Sequence, residues 1–215
     1  MINMLKYIFC CLLFCFSVNL SASADNPGAA RTNAQLGLTY LNKNMYPEAK
    51  NRLLTALQEN PKSAVGWYSM AYYFEKTANL KLANQYYQKA ISVESHSGDT
   101  YNNYGTFLCR HGEYRTAIRE FLTAIAKPNY AHVDSAYENA GICAMRIPDI
   151  KLAMQYFEKA IENNPNMPYS LLNVARLNYK NGNTKAAERY FIDFTKIAGL
   201  TSQQVEQFQK QVFKK

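Results

Sequence analysis

Gly105-Thr106-Phe107-Leu108-Cys109-Arg110-His111-Gly112-Glu113-Tyr114-Arg115-Thr116-Ala117-Ile118-Arg119-Glu120-Phe121-Leu122-Thr123-Ala124 sets a small residue twelve positions before Ala117, a bulky one four positions after it and a second Ala seven positions after it. The same offsets recur along the chain. The first Ala stands at 49, 83, 117, 153 and 187, preceded by Gly37, Ala71, Gly105, Gly141 and Ala175. The bulky position holds Leu53, Tyr87, Phe121, Phe157 and Phe191, and Ala56, Ala90, Ala124, Ala160 and Phe194 close the pattern. The spacings are 34, 34, 36 and 34 residues. Self-similarity at this period marks a solenoid. Small, small and large at fixed offsets are what two close antiparallel helices require: the small residues let the backbones approach and the large side chain fills the remaining gap.

This pattern resembles the tetratricopeptide repeat, a helix-turn-helix unit. The resemblance implies an all-α, right-handed superhelical solenoid of five repeats, at 30–63, 64–97, 98–133, 134–167 and 168–201. Turn signals fall between the paired helices at Asn42-Lys43-Asn44, Arg110-His111-Gly112, Ile147-Pro148-Asp149 and Asn181-Gly182-Asn183. Asn60-Pro61 and Asn164-Pro165 close two repeats, since proline cannot continue a helix. In residues 202–215, Val205, Phe208 and Val212 form one apolar stripe behind a Thr201-Ser202 cap, which predicts a C-terminal capping helix. Residues 25–29 are expected to be a flexible leader.

Ahead of the repeats, Lys6 precedes a near-continuous apolar run from Tyr7 to Val18, and Ala22-Ser23-Ala24 gives a small-x-small cleavage pattern. Residues 1–24 therefore predict a signal peptide cleaved after Ala24 and an exported chain. The run is shorter than the ~20 residues a spanning helix needs. Phe9, Cys10 and Phe14 precede the three N-terminal cysteines where a lipidation site needs a small residue, so no lipid anchor is expected. The composition, 48% hydrophobic and 19% charged, is that of a globular protein. A net charge of +8 permits nucleic acid, anionic lipid or acidic protein partners, and export argues against nucleic acid.

Chemistry is sparse. There is no strand–Gly-rich–helix arrangement, no H-E-x-x-H and no C-x-x-C pair. His96, His111 and His132 fall in or beside turns and repeat ends and read as solvated; the acidic residues read as solvated helix faces. No enzyme activity, small-molecule substrate, cofactor or metal is expected.

A helical-pair solenoid offers a concave surface lined by its first helices. Position 6 of successive repeats reads Gln35, Ser69, Asn103, Asn139, Asn173, all hydrogen-bonding side chains. Position 13 reads Asn42, Lys76, Arg110, Arg146, Lys180. Tyr68, Tyr72 and other apolar residues interleave with them. An Asn amide donates and accepts at once, so Asn103, Asn139 and Asn173 can grip an extended peptide, with the cations favouring its carboxylates. The competing account is local: a helix dipole favours Lys or Arg at a C-terminal end without any ligand.

Asn102-Asn103-Tyr104-Gly105-Thr106-Phe107-Leu108-Cys109, followed by Asn139-Ala140-Gly141-Ile142-Cys143, resembles the PilF/PilW family of type IV pilus biogenesis and stability proteins. The resemblance implies an outer-membrane-associated scaffold that helps the secretin pore assemble or localise, or stabilises the pilus. It also implies a disulfide between Cys109 and Cys143, two buried free thiols being the alternative. A periplasmic adaptor for another envelope system, such as cell-wall synthesis or another secretin-based machine, is the second functional reading.

Overall fold

The computed structural model describes residues 26–213, all of whose regular structure is helical; the expected signal peptide lies outside the described residues. Five helical hairpins follow one another: α1 (Pro27–Asn42) with α2 (Tyr46–Glu59), α3 (Ala64–Lys76) with α4 (Leu80–Val93), α5 (Gly98–Arg110) with α6 (Tyr114–Ile125), α7 (Val133–Ala144) with α8 (Ile150–Asn163), and α9 (Pro168–Lys180) with α10 (Thr184–Ile197). A last helix, α11 (Ser202–Val212), packs on α9. Each first helix also touches the first helix of the next hairpin, so α1, α3, α5, α7 and α9 form one continuous inner layer.

The repeated columns are the core. Ala49, Ala83, Ala117, Ala153 and Ala187 are fully buried, as are Leu53, Tyr87, Phe121, Phe157 and Phe191 to within a few per cent. Gly105 shows why the small residue is required. A Cβ there would lie 2.8 Å from the Phe121 ring and 3.1 Å from the Ala117 carbonyl oxygen. Gly105→Ala gains about 1 kcal/mol of helix propensity against about 1–3 kcal/mol of overpacking. The expected outcome is a lower melting temperature, checked by circular dichroism; an increase would mean that the ring has room to move.

Three hairpin turns place a left-handed residue at the same point: Asn44 (φ 58°), Gly112 (φ 89°) and Gly182 (φ 80°). The second repeat does so with Ala78 (φ 60°), where the Cβ opposes the conformation. Ala78→Gly is therefore expected to stabilise the protein by about 0.5–1 kcal/mol, after the entropy that glycine adds to the unfolded chain. Chemical denaturation measures it.

The chain enters the fold earlier than residue 30. Pro27 sits in the first turn of α1, where its missing N–H is no loss, and the Asn26 side chain accepts from the Ala29 amide at 3.1 Å. The Asn26 amide in turn donates to the Glu59 carbonyl at 3.1 Å, tying this end to α2. Residues 27–29, expected as flexible leader, are thus helical. At the other end Thr201 and Gln204 form a reciprocal capping box. Val212 is buried there, and Phe208 and Phe213 meet Phe194 and Phe191 at ring distances of 5.4 and 5.5 Å.

Candidate functional site

A cavity opens on the inner layer over its first three helices. Leu38 and Asn42 from α1, Tyr68 and Tyr72 from α3, and Asn103, Thr106 and Arg110 from α5 line a cavity of ≈ 270 Å³ floored by Tyr87. A second hollow of ≈ 250 Å³ adjoins it through the shared Leu38 and Tyr68 and adds Arg31, Gln35, Val65 and Asp99. Burial, with the charge of Asp99 nearby, pushes the Tyr68 phenol up to about 12, so it remains a neutral hydrogen-bonding group at physiological pH. Burial likewise raises Tyr87.

Arg110 is the cation of this cavity, and its charge is already answered. Its guanidinium makes two 2.7 Å hydrogen bonds to the carboxylate of Glu75, whose side chain is only 8% exposed. Its Cζ lies 5.6 Å from the Tyr72 ring centroid. The His111 ring nitrogen stands 3.0 Å from the same Glu75 carboxylate and packs on Phe107. Glu75 and His111 were both expected to be solvated; instead they join the ends of α3 and α5. Cys109 and Cys143 are disulfide-bonded at the next junction, with Cα atoms 5.7 Å apart, within the range a disulfide spans. The ends of three consecutive first helices are therefore pinned, by an ion pair and then by a covalent bond.

The asparagine column is not one uniform ladder. Asn103 is half-buried and lines the cavity, and its amide donates to the Asp99 carbonyl at 2.8 Å, while its oxygen is not used within the described fold. Asn139 donates to the Asn102 side chain at 3.1 Å, bridging α7 to α5. Asn173 is 6% exposed and donates to the Tyr169 carbonyl at 2.8 Å, so it serves its own helix rather than an open surface. Ser69, in the same column, is fully buried.

The remaining position-13 cations do not line the groove. Lys76 and Lys180 lie exposed in the last turns of α3 and α9. Arg146 lies beyond the end of α7, 5.9 Å from the Tyr114 ring, in a notch between two hairpin turns. Asn42 and Arg110, at the same repeat position, line the cavity, so this column serves the groove in the first and third repeats and the turn edge in the others. Among the described residues no group of three or more His, Cys, Asp or Glu is arranged to hold a metal, and no helix is long and apolar enough to cross a membrane.

Helical hairpins stacked at this spacing around an aromatic-lined inner face define a tetratricopeptide-repeat protein. Tetratricopeptide-repeat models match residues 64–96 and 108–168. More narrowly, the chain belongs to the PilF family of type IV pilus proteins. It is 33% identical over 165 residues to the type IV pilus assembly protein PilF of Pseudomonas aeruginosa, covering 77% of this chain and 66% of that protein's length. It is also 32% identical to an uncharacterized protein of Haemophilus influenzae, over 68% of this chain and 83% of the relative. The solved structure of Pseudomonas aeruginosa PilF superposes with a TM-score of 0.74 at 30% identity, covering 85% of this chain and 82% of that one. PilW, a type IV pilus biogenesis factor, matches in fold with a TM-score of 0.72 at 23% identity, over 87% of this chain and 86% of the other.

Proposed function

We propose that the chain is a non-enzymatic, periplasmic scaffold of type IV pilus biogenesis that holds a segment of the outer-membrane secretin in the groove of its first three repeats. The observation that carries this reading is the convergence of α1, α3 and α5 on one aromatic-lined cavity with an amide and a neutralised guanidinium at its rim. With Arg110 paired to Glu75, the cavity suits an apolar or aromatic side chain of the partner, while the Asn103 oxygen and the Tyr68 and Tyr72 hydroxyls serve its backbone. The role is positional. A groove whose walls are pinned by Glu75–Arg110 and Cys109–Cys143 loses little entropy when a segment enters. Lys76, Arg146 and Lys180, outside the cavity, act on the approach of a charged partner rather than on the bound segment. Asn139, bonded to Asn102, holds α7 in register with α5 beside it.

The test is a pull-down of the secretin from envelope extract with wild-type protein and with Tyr72→Ala/Asn103→Ala. Each lost hydrogen bond is worth about 0.5–1.5 kcal/mol, so the double variant should retain roughly tenfold less secretin, with circular dichroism checking that it remains folded. Full recovery by the variant would move the site away from the groove. Failure of the wild type to recover secretin would remove the secretin as partner.

A further inference from the structure

The two long edges of the solenoid differ in charge, and one of them breaks a helix rule in four consecutive repeats. The edge formed by the turns inside the hairpins carries Lys81, Arg115, Lys151 and Lys185 in the first turns of α4, α6, α8 and α10. The positive end of a helix dipole lies there, so a cation is disfavoured and an acid preferred. None of these four first turns contains an acid; Glu113 and Asp149 stand only at the N-caps of α6 and α8, where Asp149 accepts from the Leu152 amide, and neither pairs with a cation among the described residues. All four cations are exposed, and among the described residues they make no ion pair, hydrogen bond or ring contact. Local helix chemistry opposes them and no partner inside the fold repays them.

Lys76, Arg146 and Lys180 add to the same edge from the helix ends that precede each turn, against Glu48, Glu113 and Asp149. The opposite edge, between hairpins, carries Glu59, Glu94, Asp99, Asp134 and Glu162 against Lys62, Lys127 and Lys196. Several of those acids have internal duties. Glu94 accepts from the Ala64 amide at 3.3 Å, and Asp134 accepts from the Asn164 side chain at 2.7 Å.

Apolar side chains protrude among the unpaired cations. Leu80 and Ile150, each the first residue of its helix, are 41% and 46% exposed, and Met145 in the neighbouring turn is 42% exposed. These are separate tips standing out from a row of turns rather than the walls of a cleft. Scattered apolar tips among cations suit a deformable anionic surface better than a shaped protein pocket. We propose that this edge, centred on Arg115, Met145, Arg146, Ile150 and Lys151, docks the protein on an anionic lipid surface. The lipid phosphates take the cations and the apolar tips enter the headgroup boundary. The groove lies on the inner layer rather than on this edge, so it stays open to its partner while the protein is docked.

The experiment is vesicle flotation of the full chain with phosphatidylcholine alone and with phosphatidylcholine mixed with phosphatidylglycerol. Three proteins are compared: wild type, Arg115→Gln/Arg146→Gln/Lys151→Gln, and Lys62→Gln/Lys127→Gln/Lys196→Gln. The last removes the same charge from the opposite edge. The apolar run of residues 7–18 is common to all three, so its contribution cancels in the comparison. Each basic residue near an anionic surface is worth about a fivefold change in binding. The first triple should therefore lose about a hundredfold on the mixed vesicles, while the second stays near wild type. Met145→Ser/Ile150→Ser should lose roughly tenfold on the same vesicles. Melting temperatures confirm that every variant is folded. Equal losses in both triples would reduce the effect to net charge and overturn the proposal. Wild-type binding indifferent to phosphatidylglycerol would also overturn it, leaving the edge to an acidic protein. The groove variant Tyr72→Ala/Asn103→Ala should bind vesicles as wild type does, which keeps the two sites separable.

Discussion

Replacing Cys109 and Cys143 together by alanine is expected to lower the unfolding free energy by about 3–4 kcal/mol. The bond closes a loop with a sequence separation of 34, and releasing a loop of that length returns this much chain entropy to the unfolded state in the loop-closure account. The loss has a definite place in the fold. The disulfide joins the end of α5 to α7, the two helices that Asn139 and Asn102 also bridge, and α5 supplies Asn103, Thr106 and Arg110 to the cavity. Slack between α5 and α7 therefore reaches the groove wall, and if the groove holds the secretin as proposed, its recovery should fall together with stability. Denaturant titration of oxidised, reduced and double-alanine protein measures the effect, and the last two should coincide. Two reactive thiols per folded-and-then-unfolded, unreduced chain at Cys109 and Cys143 would refute the bridge, and an unchanged midpoint would refute its energetic role.

The solenoid was legible because its signal is repeated. Ala117 alone says little, but five alanines at a common offset with a small and a bulky partner describe one packing geometry, and the structure buries each of those columns. Reading failed where a single residue departs from its column. Ala78 carries a left-handed turn without glycine or asparagine to announce it. Glu75 stands where its counterparts in neighbouring repeats are Leu41 and Cys109, and an isolated acid in a helical pattern reads as solvated. Its burial depends on Arg110 of the following repeat, a contact of sequence separation 35 that no local rule contains. Asn173 fits its column in type but not in exposure, because the inner layer closes over α9 and stays open over α5. The cationic column divides: Arg110 lines the cavity, whereas Lys76, Arg146 and Lys180 lie at the hairpin turns. Residue counting gives the direction of a side chain around a helix axis, but for those three the nearest neighbour is the hairpin turn instead of the groove. The four cations of the following first turns could have been noticed as the same edge, since each stands where an acid belongs.

The largest single-site loss should come from Phe157→Ala, at about 3–5 kcal/mol. Phe157 is fully buried between α7 and α8, close enough to Gly141 that a Cβ on that glycine would lie 2.7 Å from its ring. It also reaches the next repeat, with the Tyr169 ring at 6.2 Å in an edge-on arrangement. Truncation thus empties the centre of one hairpin and weakens its interface with the following one. In a stack where each repeat contacts only its neighbours, stability is a sum of repeat and interface terms, so the position of the hole decides what unfolds with it. Repeats 1–3 lie on one side of it and are pinned to α7 by the disulfide. On the other side only α9, α10 and α11 remain, fewer than the three repeats such an array needs to stand alone. Amide exchange should accordingly show protection lost from α8 through α11 and kept in α1 to α6. The equivalent terminal change, Leu53→Ala, should cost about 2–5 kcal/mol locally yet expose only α1 and α2. If Phe157→Ala lost protection in α8 alone, the fifth repeat and its cap would have to be a self-sufficient unit. The coupling between hairpins would then reside in contacts other than Phe157 with Tyr169.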